Sequence, residues 1–245
     1  MKMKTVLITG AARRLGQAIA RELHASGANV MVHYRQAAAE AEGLVAELNV
    51  VRPCSAACLQ ADLLRIDTLT TLVDGTIDRF GQLDALINNA SSFYPTPFTA
   101  IDEAAWDDLI GSNLRAPLFL TQAAAPHLIA SRGSVINITD IHAERPLAGY
   151  PLYCTAKAGL LGLTRALAIE LAPEVRVNAV APGAILWPES DIFDSTMQQE
   201  IIDHTLLRRA GQPRDIARAV RYLIEHADYV TGQVINVDGG RTAHL

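Results

Sequence analysis

The sequence predicts an α/β fold, one domain built on a doubly wound parallel sheet of about seven strands flanked by helices. Three observations predict it. Short apolar runs alternate with stretches of helical period along the whole chain. The first run passes straight into a glycine-bearing turn and a helix, the order that a dinucleotide fingerprint requires. The chain has 245 residues, 50% hydrophobic and 19% charged, enough for one large core, and no linker or low-complexity tract divides it.

The elements follow in order. Thr5-Val-Leu-Ile-Thr9 is a short strand, and Gly10-Ala-Ala-Arg-Arg-Leu-Gly16 is the turn after it. A helix from Leu15 to about Ser26 carries Leu15, Ile19 and Leu23 on one face, and Gly27 stops it. Asn29 to Tyr34 is the second strand. A helix from about Ala37 to Leu48 leads to a strand ending at Ala61-Asp62, and a helix from Ile66 to Phe80 leads to the strand Ala85 to Asn88. A long helical region from about Asp102 to Ala130 is interrupted by Gly111 and Pro117. The buried strand Ser134 to Thr139 precedes a helix-forming run from Ala156 to Leu171. Arg176 to Ala181 is another strand, closed by Pro182-Gly183. Residues 184 to 211, with Pro188 and weak periodicity, read as a loop carrying one or two helices. Helix Pro213 to His226 and strand Val234 to Val237 complete the chain. This alternation calls for right-handed crossovers and a parallel sheet.

Composition narrows the partners. The net charge is -5 with no basic block, so nucleic acid is not an expected partner. No apolar run is long enough to span a membrane, and the N-terminus runs into a strand without a signal-peptide pattern, so a cytoplasmic location is expected. Cys54, Cys58 and Cys154 are odd in number and form no metal pattern, and the seven histidines are scattered, so no metal is assigned.

The chemistry gathers between Asp140 and Lys157. Asp140 sits where a strand ends, the usual place for a functional group in an open parallel sheet. Tyr153 and Lys157 are four residues apart, which on a helix puts them on one face. A free phenol titrates at about 10; an ammonium roughly 5 Å away at an effective dielectric of about 20 would lower that by about two units. A tyrosine so tuned is a usable acid and base near neutrality. The same spacing also arises by chance, so other residues must carry the argument. In the first turn, Gly10, Arg13, Arg14, Leu15 and Gly16 bring a helix N-terminus to a spot where backbone N–H groups can hold a pyrophosphate. The second strand ends His33-Tyr34-Arg35, without the acid that would receive a ribose 2′-OH. Arg35 can meet a 2′-phosphate instead, which favours NADP(H). Asn88, Asn89 and Ala90 close the fourth strand, where side-chain amides can tie the sheet edge to the cofactor pocket. Asn113 lies inside a helical run, a poor place for asparagine unless it is buried and hydrogen-bonded or marks a bulge; an exposed side chain is the alternative.

Taken together these residues resemble the short-chain dehydrogenase/reductase family over essentially the whole chain. The resemblance rests on Thr9-Gly10 to Gly16, Asp62, Asn88-Asn-Ala90, Asn113, Tyr153-x-x-x-Lys157, Asn178 with Pro182-Gly183, and Thr231-Gly232 with Asp238-Gly-Gly240. It implies a Rossmann-like fold and a homotetramer. It implies roles as well: Tyr153 as proton donor, Lys157 holding the nicotinamide ribose, Asn113 positioning a relay water, and Asp62 contacting adenine. Two departures are informative. Arg14 stands where most members have a second turn glycine, and Asp140 stands where most have serine or threonine. An ionised carboxylate accepts hydrogen bonds and donates none, so Asp140 suits a substrate that presents N–H groups or takes a proton on a ring nitrogen.

Those departures resemble the pteridine reductase branch, whose TGAA(K/R)RLG signature matches Thr9 to Gly16. Asn88 to Pro97, His33-Tyr34 and Asp62-Leu63 agree with it too. By that resemblance Phe93 stacks on the pterin and Ser91 hydrogen-bonds pterin and cofactor; Arg14, Asp140, Tyr153 and Trp187 are the further substrate-site candidates. Ala184-Ile-Leu-Trp187 replaces a segment that often carries a serine near the substrate, which leaves substrate range open. The expected activity is NADPH-dependent reduction of C=N bonds in oxidised or dihydropterins, or folates. The rivals are a carbonyl reductase of ketones or acyl thioesters and a non-catalytic NADPH-binding regulator.

Overall fold

A computed structural model describes residues 3–187 and 193–243. Seven parallel strands form one sheet in the order β3-β2-β1-β4-β5-β6-β7. They are β1 (Thr5–Ile8), β2 (Asn29–Tyr34), β3 (Ala56–Gln60), β4 (Ala85–Asn88), β5 (Ser134–Ile138), β6 (Arg176–Pro182) and β7 (Val234–Val237). The helices are α1 (Arg14–Ala25), α2 (Ala38–Val51), α3 (Leu69–Phe80), α4 (Glu103–Ile110), α5 (Ala116–Ser131), α6 (Pro151–Glu170), α7 (Ser195–Asp203) and α8 (Pro213–Glu225). The doubly wound α/β architecture read from the sequence is the one observed.

Alternation along β1 explains the two layers. Val6 and Ile8 point into a core shared with Ile19 and Leu23 of α1, Leu44 of α2 and Val220 of α8. Leu7 points the other way, into a core with Leu72 of α3 and Leu120 and Leu128 of α5. Both faces are covered, so the strands are apolar throughout, as parallel sheets require. The order reverses between β1 and β4, and this switch point opens a crevice above the carboxyl ends of the strands.

Most boundaries follow the sequence, and the departures have local causes. Helix α6 begins at Pro151, not Ala156, because proline fits the first helical turn, where an N–H would be unpaired. Helix α2 runs on to Val51, three residues past its expected end. The stretch read as one helix from Ile66 begins as a 3₁₀ turn, Ile66–Thr68. The interruption expected at Gly111 is a π-helical turn over Gly111–Arg115. In the segment 184–211 one helix, α7, is present among the described residues, and Pro188 lies outside them. No helix among the described residues is long and apolar enough to cross a membrane.

Candidate active site

A cavity of about 710 Å³ lies along the crevice. Its floor is the turn after β1. Gly10 has φ +61°, and a side chain on Gly16 would strike the Gly10 carbonyl at 2.5 Å and the Asn89 amide at 2.6 Å. The turn is braced from both sides. Asn89 donates to the carbonyls of Thr9 and Gly10 (2.8 and 3.2 Å), and Thr9 Oγ1 accepts from the N–H groups of Asn89 and Ala90. Arg14 sits at φ +52°, in the left-handed region. Glycine is the low-strain residue there, which is the physical reason the position is usually glycine and why arginine is a costly choice. Its guanidinium donates to the carbonyls of Leu186 and Trp187, joining this turn to the loop after β6.

Burial pushes the pKa of His33, which is 2% exposed, down to about 4. The Gly10 N–H donates to its Nδ1 at 3.0 Å, so the ring proton sits on Nε2, 3.1 Å from the Ala61 carbonyl. A neutral imidazole therefore pins the glycine turn to β2 and β3. Arg35 and Asp62 line the cavity beside it, and Asp62 accepts from the Leu64 N–H. Arg13, also in the lining, is paired with Glu40. Tyr34, expected at the cofactor, does not line the cavity. Strand alternation turns it to the opposite side of β2 from Arg35 and His33, and its ring packs against the core.

At the middle of the cavity, above β5, stand Asp140, Tyr153 and Lys157. Tyr153 Oη donates to Asp140 Oδ2 at 2.7 Å, and Asp140 Oδ1 accepts from the His142 N–H at 2.8 Å. Lys157 is 2% exposed, and its ammonium donates to the Ile138 carbonyl at 3.0 Å. Burial brings its pKa down to about 8, against the pull of Asp140. The expected lowering of the tyrosine is corrected here. Burial and the adjacent Asp140 carboxylate push the Tyr153 phenol well above its ordinary value, and its proton is engaged by that carboxylate. Lys157 is 5.6 Å from the centre of the Tyr153 ring.

Phe93 stacks face to face on Tyr150 (4.7 Å, 12°) and edge-on against Tyr153 (4.8 Å, 79°). Ser91, Phe93 and Trp187 all line the cavity. Asn113 does not: it is fully buried in the π-helical turn. Its amide donates to the carbonyls of Ser92 (3.0 Å) and Leu109 (2.9 Å), while its Oδ1 has no partner among the described residues. Leu63, Leu64, Ala90, Pro182 and Gly183 also line the cavity. Asn88 bonds instead to Thr121 and Asn137 within the sheet, away from the cavity. Sequence reasoning missed Leu147, Phe193, Ile201 and Arg241 in the lining. The last had a legible signal, since it follows the Asp238-Gly-Gly turn at the end of a strand.

The residues present fit a nicotinamide dinucleotide. A side-chain-free cradle at Gly10 and Gly16, the N-terminus of α1 and an arginine at the end of β2 supply donors for its phosphates. A family model described as Enoyl-(Acyl carrier protein) reductase matches residues 10–242. The chain belongs to the short-chain dehydrogenase/reductase family. Short-chain reductases are oxidoreductases that use nicotinamide cofactors. The chain is 38% identical to pteridine reductase 1 of Leishmania tarentolae, an alignment covering 96% of this chain and 94% of that protein. It is 35% identical to the 3-oxoacyl-[acyl-carrier-protein] reductase FabG of Staphylococcus aureus, over 98% and 99% of the two chains. A 3-oxoacyl-[acyl-carrier-protein] reductase of Synechocystis sp. is also 35% identical, over 97% and 96%.

Proposed function

We propose that this short-chain reductase is an NADPH-dependent pteridine reductase acting on C=N bonds of oxidised or dihydropterins or folates, with one reductase domain spanning the chain. The observation that carries the reading is the Asp140–Tyr153 hydrogen bond beneath Phe93. A carboxylate at this position has no proton to offer a ketone oxygen, and its charge would repel a developing alkoxide. It can instead accept from the amino-pyrimidinone edge of a pterin. It also holds the tyrosine proton ready for a ring nitrogen. Phe93, fixed from behind by Tyr150, offers an aromatic face for a flat heteroaromatic ring.

The bound nicotinamide supplies the hydride. The chain's own groups do the rest. Gly10, Arg14, Leu15, Gly16, Asn89, Ala90, Pro182 and Gly183 hold the dinucleotide, Asp62 and Leu63 flank its adenine, and Arg35 meets the 2′-phosphate. Tyr153 delivers its proton to the substrate nitrogen, and the Lys157 ammonium offsets the negative charge left on the pair. The Oδ1 of Asn113, unpartnered among the described residues, orders a water that returns the proton. Exposed Trp106, Ile129, Ile169 and Tyr222 on α4, α5, α6 and α8 support assembly of a homotetramer. Three free cysteines suit a reducing, cytoplasmic setting.

The similar identity to 3-oxoacyl reductases makes a ketone reductase the second reading. Steady-state kinetics with dihydrobiopterin, dihydrofolate and acetoacetyl-CoA, each with NADPH and NADH, separates the two. Pterin turnover with NADPH is expected; efficient reduction of the thioester with no pterin turnover would replace this reading by the second.

A further inference from the structure

We propose that Arg241 determines specificity by receiving an anionic group, a carboxylate or a phosphate, on the end of the substrate remote from the reacting ring; the inference rests on the substrate-side orientation of the proposed function.

The argument begins with topology. All strands are parallel, so the groups that follow them stand above the sheet in strand order: Arg35 after β2, Gly10 after β1, Ala90 after β4, Asp140 after β5, Gly183 after β6 and Arg241 after β7. Neighbouring strands are about 4.8 Å apart, which sets the ends of β7 and β2 roughly 24 Å apart and the ends of β7 and β5 only about 10 Å apart. Both arginines line the same cavity. Arg13 and Arg35 stand on the dinucleotide side, and Arg14, rooted in the turn after β1, reaches across to the carbonyls of Leu186 and Trp187. Of the arginines in the described lining, Arg241 is the one rooted beyond Asp140 in strand order. A cation there is out of reach of the cofactor's phosphates and within reach of a tail carried by a substrate whose ring lies at Asp140 and Tyr153.

Among the described residues, no carboxylate forms an ion pair with Arg241. One guanidinium N–H donates to the Ile201 carbonyl at 2.9 Å. Asp238, the acid that influences it, is already used. Its carboxylate accepts from the Gly240 N–H at 2.9 Å and from the Thr242 N–H and hydroxyl at 2.8 and 2.7 Å. Partial burial lowers the Arg241 pKa, as it does for a cation lacking a close counter-ion. A bond to one carbonyl needs no charge, so a neutral side chain would tie this turn to α7 equally well. A partly desolvated guanidinium facing a cavity is suited to recognition of a carboxylate or phosphate.

The test uses Arg241→Gln, which keeps a donor for the Ile201 carbonyl and removes the charge, and Arg241→Lys, which keeps the charge. Dissociation constants are measured calorimetrically on the NADP⁺-bound protein with folate, whose tail carries carboxylates, biopterin, whose side chain is uncharged, and acetoacetyl-CoA, which carries phosphates. Folate should weaken by about 10-fold in the glutamine variant, biopterin should stay within about twofold, and lysine should restore much of the loss. Folate affinity should also fall with added KCl in the parent and not in Arg241→Gln. Equal losses for folate and biopterin would mean a structural role and overturn the proposal. If neither pteridine binds but acetoacetyl-CoA does, and loses affinity in the glutamine variant, the pteridine reading fails while Arg241 stands as an anion site. No charge-dependent loss with any of the three ligands overturns it.

Discussion

The Tyr153 hydroxyl donates to the Asp140 carboxylate across 2.7 Å, and that contact inverts the electrostatics expected of a Tyr-x-x-x-Lys pair. The carboxylate, not the ammonium, is the closest charge to the phenol. Burial and this carboxylate together hold the tyrosine in the acid form, suited to donating a proton and poorly suited to starting as a phenolate base. Replacement of Asp140 therefore changes both the charge state and the substrate preference of the site.

Asp140→Ser should depress pterin reduction sharply with little change in NADPH affinity, and it should bring the Tyr153 titration down toward the ordinary phenol value. Stopped-flow kinetics and the ultraviolet absorbance of the phenolate read these two effects. Tyr153→Phe should lower kcat by about 10²–10⁴-fold while NADPH still binds. Near-parental turnover in a folded Tyr153→Phe protein would remove this residue from the proton path.

Cofactor preference should reside in Arg35. Arg35→Asp should raise the KM for NADPH by about 10- to 100-fold, the equivalent of one charge-assisted contact, and leave NADH unchanged or improved. A parent enzyme equally efficient with both cofactors would contradict the assignment.

Lys157 should cost stability in the absence of ligand. Its folded pKa of about 8 lies below the ordinary 10.5, so the unfolded chain binds more protons between those values and stability rises with pH across that window. Below pH 8 the full penalty applies, on the order of 3 kcal/mol. Loss of the bond to the Ile138 carbonyl offsets part of the gain. Lys157→Met should thus stabilise the ligand-free protein by about 1–2 kcal/mol in urea denaturation at pH 7 while abolishing turnover. A destabilised variant would show that the buried ammonium is better compensated than the single carbonyl contact implies.

His33 should make the protein sensitive to mild acid. Its folded pKa of about 4 is depressed from 6.5, so the unfolded state binds more protons between those values and stability falls as pH drops through that interval. The contribution is about 3 kcal/mol, fully present above pH 6.5 and lost by about pH 4. His33→Asn retains an acceptor for the Gly10 N–H and removes the titration. It should start less stable at pH 7.5 but lose less stability than the parent by pH 4.5 in parallel melts. Identical slopes for the two proteins would count against a neutral imidazole strut.

The order of elements was legible because buried parallel strands are short apolar runs and the helices between them keep their period. Val6, Leu7 and Ile8 say as much in three letters. Gly10, Gly16, Tyr153 and Lys157 were legible for a related reason, since a turn or one helical face brings each group together without help from distant chain. Tertiary structure decided the rest. The charge state of Tyr153 depends on Asp140, thirteen residues away, and on burial that no local pattern reports. His33 read as a cofactor contact and lines the cavity; that the Gly10 N–H and Ala61 carbonyl engage its two nitrogens could not be read, because it depends on β1, β2 and β3 ending side by side. Tyr34 fell to the core through strand alternation, and Arg241 entered the cavity because β7 is laid next to β6. Local periodicity specifies elements; proximity between strand ends far apart in sequence specifies electrostatics, and only the packed sheet supplies it.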